Sequence, residues 1–129
     1  MDTISDMIIR MQNASRSKKE SVSFSYSKVK ASILDILLKR GFIKSFGKKG
    51  KKVIKFIDVG LIYDENGMPK IKGVKRISKS SKRIYYKSGQ IKSVKNGYGA
   101  LIISTSKGVM TGSDARKQNL GGEPLFSIW

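Results

Sequence analysis

Charge constrains this chain more than any other feature. Its 129 residues carry 27 Lys or Arg against 9 Asp or Glu, a formal net charge of +18 at neutral pH. A compact body so charged repels itself, and a polyanion that offsets the field stabilises the folded state. Solubility alone needs a far smaller charge. Nucleic acid is therefore the expected class of partner, with an anionic membrane surface second. Lys outnumbers Arg by 21 to 6, which favours point-charge contacts to phosphates over bidentate reading of guanine edges.

Most enzyme chemistry is excluded by what is missing. Without Cys there is no disulfide framework, thiolate chemistry or zinc ribbon. Without His the chain loses the commonest general base and the usual transition-metal ligand. The nine acids include no close Asp-x-Asp pair for a metal. An RNA-processing enzyme is not expected, and neither is a cofactor or a small-molecule substrate. No apolar run approaches the length of a membrane span, and Asp2 and Asp6 argue against a transit peptide. No membrane partner is expected, and the expected home is the cytoplasm, with an organelle-encoded copy as the other possibility.

The length suits one domain or two small ones. Ile4, Met7, Ile8 and Met11 make one apolar stripe, so a helix is expected over residues 2–14 with Asp2 as its N-cap. Val22, Phe24 and Tyr26 alternate as a half-buried strand does. Ser27 is the expected cap of a second helix running to Arg40, with Val29, Ile33, Ile36 and Leu37 on its apolar face. Gly41 should end it, with Phe42 packing on Leu37 as in a Schellman motif. The segment 42–46, the basic turn GKKGKK at 47–52 and a strand over 53–63 follow. That turn lacks the G-x-x-x-x-G-K-[ST] spacing, so it is not read as a nucleotide loop. Asp64–Gly67 signals a turn, and a return strand is expected over 70–77, with Gly73 as a bulge.

The polar, basic run SKSSK at 78–82 is the expected linker. It separates an N-terminal α/β domain over 1–77 from a mainly β domain over 83–129. In the latter, strands are expected at 83–87 and 99–104, around a looping segment at 88–97. A short capped helix is expected from Gly112 to about Asn119, closed by Gly121, and then a final strand at 123–129. The fold class is thus α+β in two small domains: helix, strand, helix and antiparallel strands, then a mainly β domain with one short helix.

Several stretches are similar to one known family. The run NGYGALIISTSKGVMTGSDARKQNLGGE at 96–123 resembles the C-terminal signature of the S-eight family of small-subunit ribosomal proteins. DTISDMIIRMQNA at 2–14, YSKVK at 26–30, LKRGFI at 38–43 and KRISK at 75–79 resemble it too, collinearly and over essentially the whole chain. The resemblance implies a structural protein that binds the central domain of small-subunit ribosomal RNA, supports assembly of the subunit platform and meets neighbouring small-subunit ribosomal proteins. The chain departs from the family at Ser80-Ser81, where Pro-Gly is usual, and at Pro124 and Ser127.

The resemblance also directs attention to candidate RNA-binding residues. Ser104, Thr105 and Ser106 carry hydroxyls that both donate and accept, suited to a base edge or a 2′-OH. Lys107 adds a phosphate partner. Gly122 is expected to allow close RNA approach, since a helix stop needs only one of Gly121-Gly122. Glu123 can accept from an exocyclic amine or can simply close the strand. Tyr85 is placed to stack on an unpaired base, Arg83 precedes it, and Lys30 is expected on phosphate. Tyr86 points the other way and belongs to the core, while Phe24, Phe42, Phe46, Phe56 and Trp129 are expected to pack. The rival reading is a small basic DNA-binding architectural protein, which needs a minor-groove arm that this sequence lacks.

Overall fold

The computed structural model describes residues 3–53, 55–94 and 98–129. The expected cap Asp2, Ile54 in the expected strand, and residues 95–97, where the looping segment meets the head of the signature, lie outside them. The chain is α+β and divides into two compact units, residues 3–72 and 73–129.

In the first unit, α1 (Thr3–Arg16) buries Met7, Ile8, Met11 and Ala14, the stripe its spacing dictates. β1 (Ser21–Ser25) leads into α2 (Lys28–Lys39). The Ser27 hydroxyl accepts the Lys30 N–H at 3.1 Å, satisfying one free donor of the first turn. At the other end Gly41 takes φ +78°. The Phe42 N–H reaches the Leu37 carbonyl at 2.9 Å and the Gly41 N–H that of Leu38 at 3.1 Å, a full Schellman stop. Phe42 and Leu37 are both buried, whereas Val29 lies off the buried stripe and is exposed. β2 (Ile43–Lys49) and β3 (Phe56–Leu61) form a hairpin, and the antiparallel sheet has the order β1-β3-β2. β3 is shorter than expected, and Phe56 at its start is exposed rather than packed.

The Asp64–Gly67 turn forms, with the Asp64 carboxylate accepting the Asn66 and Met68 N–H groups at 2.8 and 2.9 Å. The return strand does not pair as expected. After a lone Tyr63–Pro69 bridge, β4 (Val74–Arg76) pairs with the chain's last strand. Spacing explains this: Ile71, Val74 and Ile77 do not alternate and offer β3 no continuous face. Gly73 is no bulge. It pairs with Trp129 through two backbone hydrogen bonds, and a Cβ there would sit 2.5 Å from the indole ring. The units accordingly divide before β4, and residues 78–82 fall inside the second unit rather than between the two.

The second unit continues with a 3₁₀ turn at Ser88–Gln90, β5 (Ala100–Thr105), β6 (Gly108–Thr111), α3 (Gly112–Lys117) and β7 (Glu123–Ile128). Its antiparallel sheet has the order β4-β7-β5-β6. Ile91, Leu101, Ile103 and Ala115 form its core cluster, with Tyr86 packed against them as expected. Residues 83–87 are extended but make only one bridge, Tyr86 to Gly122. Thr111 caps α3 by accepting the Asp114 N–H at 3.2 Å. Asn119, not Gly121, ends it. Asn119 takes φ +56°, and the Leu120 N–H closes onto the Ala115 carbonyl at 2.8 Å. Pro124 lies in a central strand, where its missing N–H falls at a register shift between Ile102 and Ile103.

Candidate nucleic-acid interface

β5 and β6 are joined by a two-residue turn, Ser106-Lys107, between the paired Thr105 and Gly108. Gly108 supplies φ +113°, which a side chain rarely adopts. The Thr105 hydroxyl accepts the Lys107 N–H at 3.1 Å and donates to the Gly108 carbonyl at 2.9 Å. Thr105 therefore locks the turn from inside. Ser106 and Lys107 are left exposed at its tip, on a strand whose root, Leu101–Ile103, is buried. An uncharged donor-acceptor and a cation thus stand side by side on a rigid support.

The start of β7 lies against this strand. Ser104 pairs with Glu123, and a Cβ on Gly122 would lie 2.2 Å from the Ser104 carbonyl oxygen. A Cβ on Gly121 would lie 2.4 Å from that of Tyr86. Both glycines are thus required by the chain's own backbone, a reason that sequence alone does not offer. Tyr86 and Gly122 exchange backbone hydrogen bonds of 2.8 and 2.9 Å. The neighbouring Tyr85 projects outward and is 70% exposed.

Glu123 also has internal partners. Its carboxylate accepts from the Ser78 hydroxyl at 2.5 Å and from the Arg83 guanidinium at 2.9 and 3.1 Å. The Ser78 hydroxyl in turn accepts the Ile84 N–H at 3.0 Å. Ser78, fully buried, is the residue that sequence reasoning missed, for nothing local marks a serine as a link between two segments. Burial works to raise the Glu123 pKa, but the Ser78 and Arg83 hydrogen bonds and the charges of Arg83 and Arg76 outweigh it. The group is held below its ordinary 4.5. A carboxylate whose pKa falls on folding stabilises the protein above its unfolded value, and that gain disappears as pH drops through the folded one. Melting curves between about pH 6 and 3 should show wild type losing its advantage over Glu123→Gln below about 4.5. A constant gap between the two would contradict this account.

Eight of the nine candidate residues converge at this one end of the second unit: Arg83, Tyr85, Ser104, Thr105, Ser106, Lys107, Gly122 and Glu123. Lys30 does not. It belongs to the first unit and is buried, its ammonium donating to the Ser25 carbonyl at 3.1 Å and the Ser25 hydroxyl at 3.0 Å. It ties α2 to β1 and is not presented to a phosphate. Among the described residues no group of acids could hold a metal ion, and no helix is long and apolar enough to cross a membrane.

The sequence pattern of the family described as "Ribosomal protein S8" matches residues 2–129. The "Small ribosomal subunit protein uS8" of Helicobacter pylori (strain Shi470) is 46% identical over 128 residues, 99% of this chain and 98% of that protein. The protein of the same name from Mycoplasmopsis agalactiae (strain NCTC 10123 / CIP 59.7 / PG2) is 50% identical over 128 residues, 99% of this chain and 97% of its own length.

Proposed function

The chain belongs to the ribosomal protein S8 family, and from that membership we propose that it binds small-subunit ribosomal RNA through the exposed Ser106-Lys107 turn. It acts as a structural, non-enzymatic part of the cytoplasmic small subunit. By gripping a helix of the RNA's central domain it supports assembly of the platform. The observation that carries this reading is the convergence of candidates at one end of the second unit, drawn from three stretches that together span 40 residues of sequence separation. Lys107 attracts phosphate, while Ser106 offers a hydrogen bond that discriminates among RNA surfaces. Thr105, Gly121, Gly122 and the Ser78–Glu123–Arg83 linkage hold that end rigid, so little ordering entropy is lost on binding.

A DNA-binding architectural role is disfavoured by the chemistry at the tip. The turn offers a hydroxyl suited to a 2′-OH, and it offers no apolar wedge for a base step.

Ser106→Ala tests the specific contact. The variant should weaken the cognate ribosomal RNA helix by about 1–3 kcal/mol, because a buried partner loses its hydrogen bond. Non-cognate duplex binding and the salt slope should hardly change, since no cation is removed. Replacing Lys48, Lys49, Lys51 and Lys52 should instead weaken all RNAs about equally. A folded Ser106→Ala protein with wild-type affinity for cognate RNA would make Ser106 a turn residue only.

A further inference from the structure

The core of the second unit is open along one side. Lys75, Ser127 and Leu101 stand in one row across β4, β7 and β5, each opposite the next in register. Residues so paired share a face of the sheet, and Leu101 places this face on the core side. The middle of the row holds only a serine. A cleft of about 430 Å³ lies over it, with Ile77, Ile84, Tyr86 and Val94 as its other apolar walls. That volume lies within the range of small-molecule sites, which are mostly apolar with a few placed polar groups.

Ser127 is only 8% exposed. Among the described residues its hydroxyl has no hydrogen-bond partner, and what remains accessible of it opens into the cleft. A hydroxyl withdrawn from water without a partner costs free energy, which a ligand atom that donates to it or accepts from it restores. The mouth of the cleft is cationic. Lys75 and Lys92 are exposed there, and among the described residues neither is paired with a carboxylate. Arg76 is already engaged by the Leu125 carbonyl. Gln90 uses its side-chain oxygen on the Lys87 N–H, which leaves the two amide hydrogens to donate.

Two unpaired ammonium groups suit a phosphate, which carries between one and two negative charges near neutrality. The apolar walls suit a flat ring, and Ser127 and the Gln90 amide offer hydrogen bonds to polar atoms on its edge. An aryl carboxylate would use the same walls but bring less charge to the two ammonium groups. We propose that this cleft binds a free mononucleotide, its base between the sheet and residues 84–94 with its edge on Ser127, its phosphate at Lys75 and Lys92. The nucleotide is held and not transformed, for among the described residues no carboxylate, thiol or imidazole lines the cleft. The site is separate from the Ser106-Lys107 turn, because Leu101 and Thr105 lie roughly 13 Å apart along β5. The proposal does not rest on RNA binding by that turn.

The test titrates adenosine, guanosine, cytidine and uridine monophosphates separately into the full-length protein without RNA, read by calorimetry and by saturation transfer to the base protons in NMR. At least one should bind once per chain. Its nucleoside and inorganic phosphate should each bind at least about tenfold more weakly, a difference of about 1.4 kcal/mol or more. Ser127→Leu, which fills the cleft from its floor, should abolish binding. Joint Lys75→Gln and Lys92→Gln should weaken it about tenfold or more. Melting curves check that Ser127→Leu folds; should it melt early, Ser127→Ala replaces it, with an expected loss of about threefold to tenfold. Three results each overturn the proposal: no binding of any of the four, phosphate binding as tightly as the nucleotide, or an affinity that the Ser127 substitution leaves unchanged. A last arm first saturates the protein with the cognate ribosomal RNA helix. Undiminished nucleotide binding supports a site of its own, whereas displacement of the nucleotide makes the cleft part of the RNA surface and overturns the proposal. The earlier arms use no RNA, so failure of the Ser106→Ala prediction leaves them intact.

Discussion

Gly122→Ala should lower the unfolding midpoint sharply and weaken RNA binding with it. The new Cβ would sit 2.2 Å from the Ser104 carbonyl oxygen and 3.0 Å from its carbonyl carbon. Both are backbone atoms of the paired strand β5, so no flexible side chain can yield. Overpacking of this kind costs about 1–3 kcal/mol, sometimes more. In a unit of this size that corresponds to roughly 4–8 °C of melting temperature per kcal/mol. Relief of the clash must push β5 away from β7, and Ser104 leads directly into the Ser106-Lys107 turn. Gly89→Ala is the matched control, for a Cβ there meets nothing within 4 Å. That variant should stay within about 0.5 kcal/mol of wild type. Equal melting of the two variants would contradict the assigned packing.

Salt should have the largest effect on binding. If about four to six of the basic groups touch phosphate, the log–log slope of affinity against salt lies near −3 to −5. A fourfold rise in salt then weakens binding by roughly 60- to 1,000-fold. Titrations at several salt concentrations give the slope directly, and a slope near zero would remove electrostatics from the account. Lys30 should not contribute, because its ammonium is held inside the first unit by Ser25.

What could be read from the sequence was decided by local contacts. The second helix carries its own instructions: a cap that bonds three residues ahead, a buried stripe, and a glycine that reverses the chain. The Asp64 turn and the Thr111 cap are legible for the same reason. The partner of β4 is not, because the choice between β3 and β7 depends on Trp129, more than fifty residues away in the chain. Asn119 was hidden by the more conspicuous Gly121, since asparagine reaches the left-handed region at only modest cost. Lys30 looks like any cation of a basic chain until the fold turns it onto Ser25.

The site was legible as a list, through resemblance, but the division of labour within it was not. Ser106, Lys107 and Tyr85 face solvent, whereas Thr105, Gly122 and Glu123 serve the chain itself first. Three hydroxyls in a row look equivalent in sequence. The turn makes one of them an internal lock and leaves another free for a partner.

The central claim is that this chain recognises small-subunit ribosomal RNA rather than any polyanion. The most direct measurement is a titration, at one fixed salt concentration, of the cognate central-domain RNA helix against duplex DNA of equal length. The RNA should bind tighter by a factor of about ten or more, equivalent to at least about 1.4 kcal/mol. Equal affinity for the two would reduce the protein to a diffuse cation and contradict the account.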